Sequence, residues 1–177
     1  FIHSIDFYLP NNELSNQDLT RQFPEWNVEK ISAKTGIKKR FIADEHEFAS
    51  DMAIKAANKL FEKTKFDKSK IDFLIYCTQS PDYLLPTTAC IIQDRLNLNK
   101  IGAFDFNLGC SGYIYGLSIA KGFISSGIAN NILFITSETY SKYIIEKDKS
   151  NRTIFGDAAS ATIITKEKGL CKIGNFE

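Results

Sequence analysis

One cysteine stands where chemistry could be done. In FDFNLGCSGYIYGL, residues 104–117, a β-type run ends, Cys110 follows Gly109, and a helical pattern starts almost at once. A nucleophile on such a strand-to-helix turn is lifted clear of the sheet edge, and open α/β sheets bind ligands at the carboxyl ends of their strands. The following helix N-terminus presents unpaired N–H groups and a positive partial charge. That field favours a thiolate over a thiol. The same N–H groups can stabilise an oxyanion when a thiolate attacks a carbonyl. Gly109 and Gly112 let a substrate come close to the backbone. The competing reading is a small buried residue ahead of a helix, since cysteine is among the most buried residue types. Position alone leans toward that second reading.

A catalytic cysteine also needs a base or hydrogen-bond partners, usually His with Asn or Asp. The chain has two histidines. His3 opens the first strand and His46 lies in a charged loop, ADEHEF, so neither is placed to serve Cys110. Cys77, Cys90 and Cys171 sit within apolar runs and read as buried filler. No CxxC spacing occurs, which offers no zinc site. Four cysteines in 177 residues do not suggest a disulfide framework, so a reducing, cytoplasmic setting is expected. The net charge of +1 gives no global field that would recruit nucleic acid or an acidic membrane. No apolar run reaches about 18 residues, the length that would span a bilayer. With 44% hydrophobic and 24% charged residues, the composition fits one domain with a real core. No signal peptide is visible, and the sequence starts at Phe1 rather than a methionine, so residues upstream are expected.

The elements that must position Cys110 follow from periodicity. Residues 2–9 read as a strand stopped by Pro10 and the Asn-Asn pair. Ser15 can cap a short helix over 16–23 that Pro24 ends, and a second fits 28–34, stopped by Gly36. Residues 50–64 form an amphipathic helix, with Ala53, Ala56, Ala57, Leu60 and Phe61 on one face. The apolar run 71–78 fits a strand buried on both faces. A helix over 87–96, a strand over 101–108, a helix over 111–127 and a strand over 131–138 follow. In the second of these helices Tyr113, Leu117, Ala120 and Ile124 share a face, and Gly127 is its C-cap. A polar loop, 141–152, precedes FGDAASATIIT, and two closing strands, 158–165 and 170–176, read as an antiparallel pair. Strands alternating with helices imply parallel pairing with right-handed crossovers.

Several segments together resemble the N-terminal half of a β-ketoacyl-ACP synthase III, a thiolase-fold condensing enzyme. In order they are YLP (8–10), KTGIKKRFIA (34–43), SDMAIKAA (50–57), IDFLIYCTQSPDYLLPTTACIIQDRLNL (71–98), AFDFNLGCSGYIYGLSIAKGFISSG (103–127) and DKSNRTIFGDAASA (148–161). The resemblance covers nearly the whole chain. It implies an α/β, thiolase-like fold in which residues 1–177 form one αβα half with a mixed, mostly parallel sheet, the C-terminal half being absent. It also implies that Cys110 is the nucleophile. The cysteine takes an acyl group from acyl-CoA as a thioester, with its own N–H as half of the oxyanion hole. Malonyl-ACP then loses CO2, and its carbanion attacks that thioester to give a 3-oxoacyl-ACP. No cofactor is implied, since acyl-CoA and malonyl-ACP are substrates. The implied partners are an acyl carrier protein and a second copy in a homodimer. The family's His and Asn lie in the missing half, so this chain alone is expected not to condense.

Other positions depart from the family pattern. A tryptophan that stacks on adenine corresponds to Lys30, and two CoA-binding arginines correspond to Lys34 and Lys149. Lysine keeps the charge but loses the planar fork. The only tryptophan, Trp26, sits four residues earlier. An acyl-ACP donor therefore stands beside acyl-CoA, with Lys34, Lys38, Lys39 and Arg40 as either its basic patch or a solvated face. Leu85 corresponds to a position that reaches across the dimer into the acyl pocket, and a leucine there hints at altered chain-length preference. Ala158 and Ser160 replace glycines, Asp157 reads as a loop-structuring residue, and Arg152 inherits no role. The alternatives are an acyltransferase or thioesterase of the same fold, or a non-catalytic scaffold that binds a carrier protein.

Overall fold

The computed structural model describes residues 1–98 and 100–176. At its centre is the continuous apolar run, which forms β4 (Phe73–Cys77). β5 (Gly102–Phe106) and β6 (Asn131–Glu138) flank β4 and run parallel to it. β7 (Ala158–Thr165) joins β6 antiparallel, and β1 (Ile2–Tyr8) joins β7 antiparallel. The sheet order is β1-β7-β6-β4-β5, so β7 alone opposes the other four strands. The expected mostly parallel sheet holds for strand direction, although two of the four ladders are antiparallel.

Alternation along β4 and β6 divides the core in two. Leu74, Tyr76, Leu133 and Ile135 pack with α3 (Ala49–Thr64) and α4 (Thr88–Arg95). Ile75, Cys77, Ile132 and Phe134 pack with α5 (Gly112–Ser125) on the opposite face. These two helical layers around one sheet are the expected αβα arrangement. Met52, Ala53, Ala56, Ala57 and Leu60 of α3 are fully buried, small residues letting the helix lie close to the sheet. Each fully buried Leu or Ile contributes about 1.5–3 kcal/mol. α5 is covered on one side only: Leu117 and Ala120 are buried, while Ile114 and Tyr115 are more than half exposed. Asp6 turns toward α3, so Ile5 and Phe7 lie on the sheet's other face, and both are exposed.

A smaller unit packs beside the sheet. β2 (Asn12–Ser15) and β3 (Lys39–Ile42) pair antiparallel and enclose α1 (Asn16–Gln22) and α2 (Val28–Thr35). Ser15 and Asp18 form the capping box that starts α1, and Asn27 caps α2. Gly36, at φ 72°, ends α2, and Gly127, at φ 76°, follows α5. The strands β2 and β3 escape the sequence pattern because NELS and KRFI are short and charged. A one-turn helix, α6 (Lys149–Arg152), lies in the stretch expected to be a polar loop.

The expected strand over 170–176 does not form; a single bridge joins Cys171 to Ile2. β6 and β1 already occupy both edges of β7, so a following segment finds no partner there. Cys90 and Cys171, expected to be buried, are exposed; Cys77 is buried. Among the described residues, no helix is long and apolar enough to cross a membrane.

Candidate active site

β5 ends at Phe106 and α5 begins at Gly112, so Cys110 occupies the turn between them. The turn closes with the Gly112 N–H donating to Gly109 O at 2.8 Å. Cys110 is exposed, which overturns the buried reading. Its backbone N–H has no partner among the described residues, leaving that donor available to an oxyanion. Gly112 makes this geometry reachable: a Cβ there would stand 2.5 Å from Cys77 Sγ.

Cys110 faces a cleft of about 330 Å³. The end of β4 contributes Cys77 and Gln79, and the end of β6 contributes Glu138. Tyr113 of α5, Tyr140 and the Phe155–Gly156 loop complete the wall. The Tyr140 and Phe155 rings meet edge to face at 5.0 Å. Gly156 lies so close to β3 that a Cβ would be 2.8 Å from Phe41 O. Asp157 anchors the loop, accepting from the Ala43 N–H at 2.8 Å and the Ser141 N–H at 2.9 Å. It therefore structures the loop, as its position in FGDAASA suggests.

The cleft contains two perturbed groups. Burial pushes the Cys77 thiol up, and that thiol donates to Leu108 O at 3.3 Å. Burial also pushes the Glu138 carboxyl up, against the opposing pull of the Gln79 N–H and Ser80 hydroxyl. Neither histidine lines the cleft. His3 bonds Ser4 and packs edge-on to Phe66, and His46 is exposed.

The remaining candidate residues lie away from this wall. Lys30 and Lys34 are exposed, one turn apart on α2. Lys149 is exposed on α6, its ammonium 5.4 Å from the centre of the Trp26 ring. Trp26 itself is buried and stacked on Phe23 at 4.4 Å, with the Arg152 guanidinium 5.5 Å above Phe23. Leu85 is 86% exposed in the loop before α4. The expected basic patch is smaller than its sequence suggests. Arg40 is buried, bonding Leu14 O, Asn16 Oδ1 and Thr153 O, and Lys39 pairs with Glu13 at 2.7 Å. Lys34 and Lys38 remain on the surface.

The family model for 3-oxoacyl-[acyl-carrier-protein] synthase III matches residues 104–177, from β5 through the Cys110 turn and beyond β7. The β-ketoacyl-[acyl-carrier-protein] synthase III of Sulfurovum is 41% identical over 175 residues, covering 96% of this chain and 51% of that protein. The chain belongs to the synthase III family. Its fold is the thiolase-like fold of that family. A crystal structure of a 3-oxoacyl-(acyl-carrier-protein) synthase III superposes with a TM-score of 0.92 at 50% identity, over 96% of this chain and 51% of the other. The Aquifex aeolicus synthase III gives 0.89 at 38% identity, over 94% and 54%. The chain therefore spans about half the length of the curated relatives it matches.

Sequence reasoning missed Gln79, Glu138 and Phe155 as neighbours of Cys110. Glu138 left one trace: it is the one charged residue in the strand run NILFITSE.

Proposed function

We propose that this chain supplies the nucleophile-bearing half of a 3-oxoacyl-ACP synthase III-type condensing enzyme. The observation that carries the proposal is the exposed Cys110 at the start of α5, with an unpartnered N–H beside it and a cleft in front. The Cys110 thiolate attacks an acyl thioester, the donor's thiolate leaves, and the acyl group stays on sulfur. Malonyl-ACP then loses CO2, and its carbanion displaces the Cys110 thiolate to give a 3-oxoacyl-ACP. No cofactor enters this scheme.

The groups that promote decarboxylation are assigned to a second, similar half, so residues 1–177 alone are expected not to condense. The exposed Ile114, Tyr115, Ile5 and Phe7 support such a half, because they offer it an apolar seat. A homodimer is supported by β5, which among the described residues pairs only with β4, and by the exposed Leu84 and Leu85. Acyl-CoA and acyl-ACP are both candidate donors. One observation favours the carrier-protein form: Trp26 is buried beneath Lys149 and offers no open face to a purine, while Lys30 and Lys34 are exposed cations suited to an acidic partner.

Intact-mass analysis of the full-length protein after incubation with acetyl-CoA or acetyl-ACP tests the reading. One acetyl group is expected on the native protein and none on Cys110→Ala. No adduct with either donor, or an adduct that survives the substitution, refutes Cys110 as acyl carrier.

A further inference from the structure

The β4–β6 ladder stops at Cys77 and Thr136, at the wall of the cleft. Beyond that point one side chain takes over the pairing. The Glu138 carboxylate accepts the Gln79 N–H at 2.7 Å and the Ser80 hydroxyl at 2.8 Å. Ser80 Oγ in turn accepts the Thr139 N–H at 2.8 Å, and the Ser80 N–H donates to Thr78 Oγ1 at 3.0 Å. On the other flank, the Thr78 N–H donates to Phe106 O at 3.2 Å, at the end of β5. The Thr78–Gln79 backbone is thus held from both sides, Thr78 by the end of β5 and Gln79 by Glu138 at the end of β6. Its side chain lies against Gly109, where an added Cβ would be 2.9 Å from Gln79 Oε1. Gly109 is the residue before Cys110.

We infer that Glu138 is a positioning residue for the nucleophile turn: its carboxylate fixes Gln79, and Gln79 buttresses Gly109 and so sets where Cys110 stands in the cleft. The inference rests on the reading of Cys110 as the nucleophile. A half-buried carboxylate is costly without a cation, and among the described residues Glu138 has no ion-pair partner. What it obtains for that cost is two strong acceptor bonds at the end of an unfinished ladder. The role is geometric. It needs an acceptor for the Gln79 N–H and a partner for Ser80 Oγ, and no proton has to move. A glutamine meets both needs: its carbonyl accepts the N–H, and its amide donates to Ser80 Oγ. An alanine meets neither and leaves the Gln79 N–H unpaired.

The test uses the full-length protein and two readouts, the rate of Cys110 alkylation by iodoacetamide and the rate of acetyl uptake from an acetyl thioester. A misplacement of about 1 Å at a reacting group costs up to about 100-fold. Glu138→Ala is accordingly expected to slow both rates at least about tenfold, and Glu138→Gln to restore them to within about threefold of native. Gln79→Ala removes the buttress but leaves the backbone bonds, so it should slow alkylation in the same sense, and it keeps the inference testable where Glu138→Ala does not fold. Glu138→Gln as slow as Glu138→Ala would overturn the positioning role in favour of one that needs the charge. Native alkylation rates in folded Glu138→Ala or in Gln79→Ala would overturn it outright. A native protein that takes up no acetyl group, while the alkylation pattern holds, sinks the condensing reading and leaves this one standing.

Discussion

Gly112→Ala would put a methyl carbon 2.5 Å from Cys77 Sγ and 3.4 Å from Leu108 Cβ. Non-bonded heavy atoms prefer roughly 3.5–4.0 Å, so the sulfur contact is about 1 Å too short. Cys77 cannot give way. Its backbone is laddered to Phe106 and Thr136 on both sides, and its thiol is held by Leu108 O. The Cys110 turn and the first turn of α5 must move instead. Overpacking of this kind costs about 1–3 kcal/mol. In a chain of this size that corresponds to a fall in melting temperature of about 2–12 °C. A 1 Å shift of the nucleophile costs up to about 100-fold in rate. Thermal unfolding and acetyl uptake by Cys110 measure the two effects separately. The decisive control is Gly112→Ala combined with Cys77→Ala. That pair removes Sγ and leaves Cys77 Cβ at an ordinary 3.9 Å. The new methyl takes the space of the lost sulfur. The double variant should match native stability within about 1 kcal/mol and native rate within about threefold. A single variant with native stability and rate, or a double variant no better than the single one, would refute the reasoning.

Three further outcomes are expected. Burial pushes the Asp6 carboxyl up, but the Phe7 N–H and the ammonium groups of Lys59 and Lys63 outweigh it and hold the group at about 2. A depressed carboxyl stabilises above its unfolded value of about 3.9 and loses that contribution as pH falls through the folded value. Because the lysines are solvent-screened, Asp6→Asn should cost about 1 kcal/mol at pH 7 and close to nothing near pH 2; an equal deficit at both pH values in denaturant titrations contradicts the ion-pair account. Asp105 accepts the Thr87 hydroxyl and the Thr88 and Ala89 N–H groups, both N–H bonds at 2.9 Å, so it anchors the start of α4. Asp105→Ala should cost about 2 kcal/mol in chemical denaturation, and a loss under about 0.5 kcal/mol counts against that role. Asp157→Ala should speed hydrogen exchange at the Ala43 and Ser141 amides, which it binds directly; unchanged exchange at both would show that the Phe155–Gly156 loop is held by something else.

The parts of the fold that were legible in sequence are those where one local rule decides. The apolar run of β4, the alanine-rich face of α3 and the Ser15 capping box each announce themselves within a short window. Cys110 was visible as a turn residue because glycines mark both sides of it. What stayed hidden depends on distant partners. KRFI becomes β3 only because NELS lies opposite, and Arg40 leaves the expected basic patch because carbonyls from Leu14 and Thr153 surround it. Residues 170–176 carry strand-forming residues, yet β1 arrives first at the edge they would need. The exposure of Cys90 reflects which side of α4 meets the sheet, and apolar neighbours in sequence do not report that. Glu138 and Gln79 reach Cys110 only because β6 and β4 end side by side.

The pairing of β1 with β7 sets an order of events during synthesis. β1 ends at Tyr8, and the strand it needs begins at Ala158. At about 5–20 residues per second, the intervening chain takes roughly 7–30 s to emerge from a ribosome. Throughout that interval Ile2, Ile5 and Phe7 have no sheet to join, and β1 is an unpaired apolar segment open to chaperones or to a neighbouring nascent chain. The sheet is completed from its far side, by a contact of very long sequence separation, which slows the final step. A chain cut before Ala158 would leave β1 stranded and one edge of β6 bare, so the shortest length able to close this sheet extends through β7, well past Cys110.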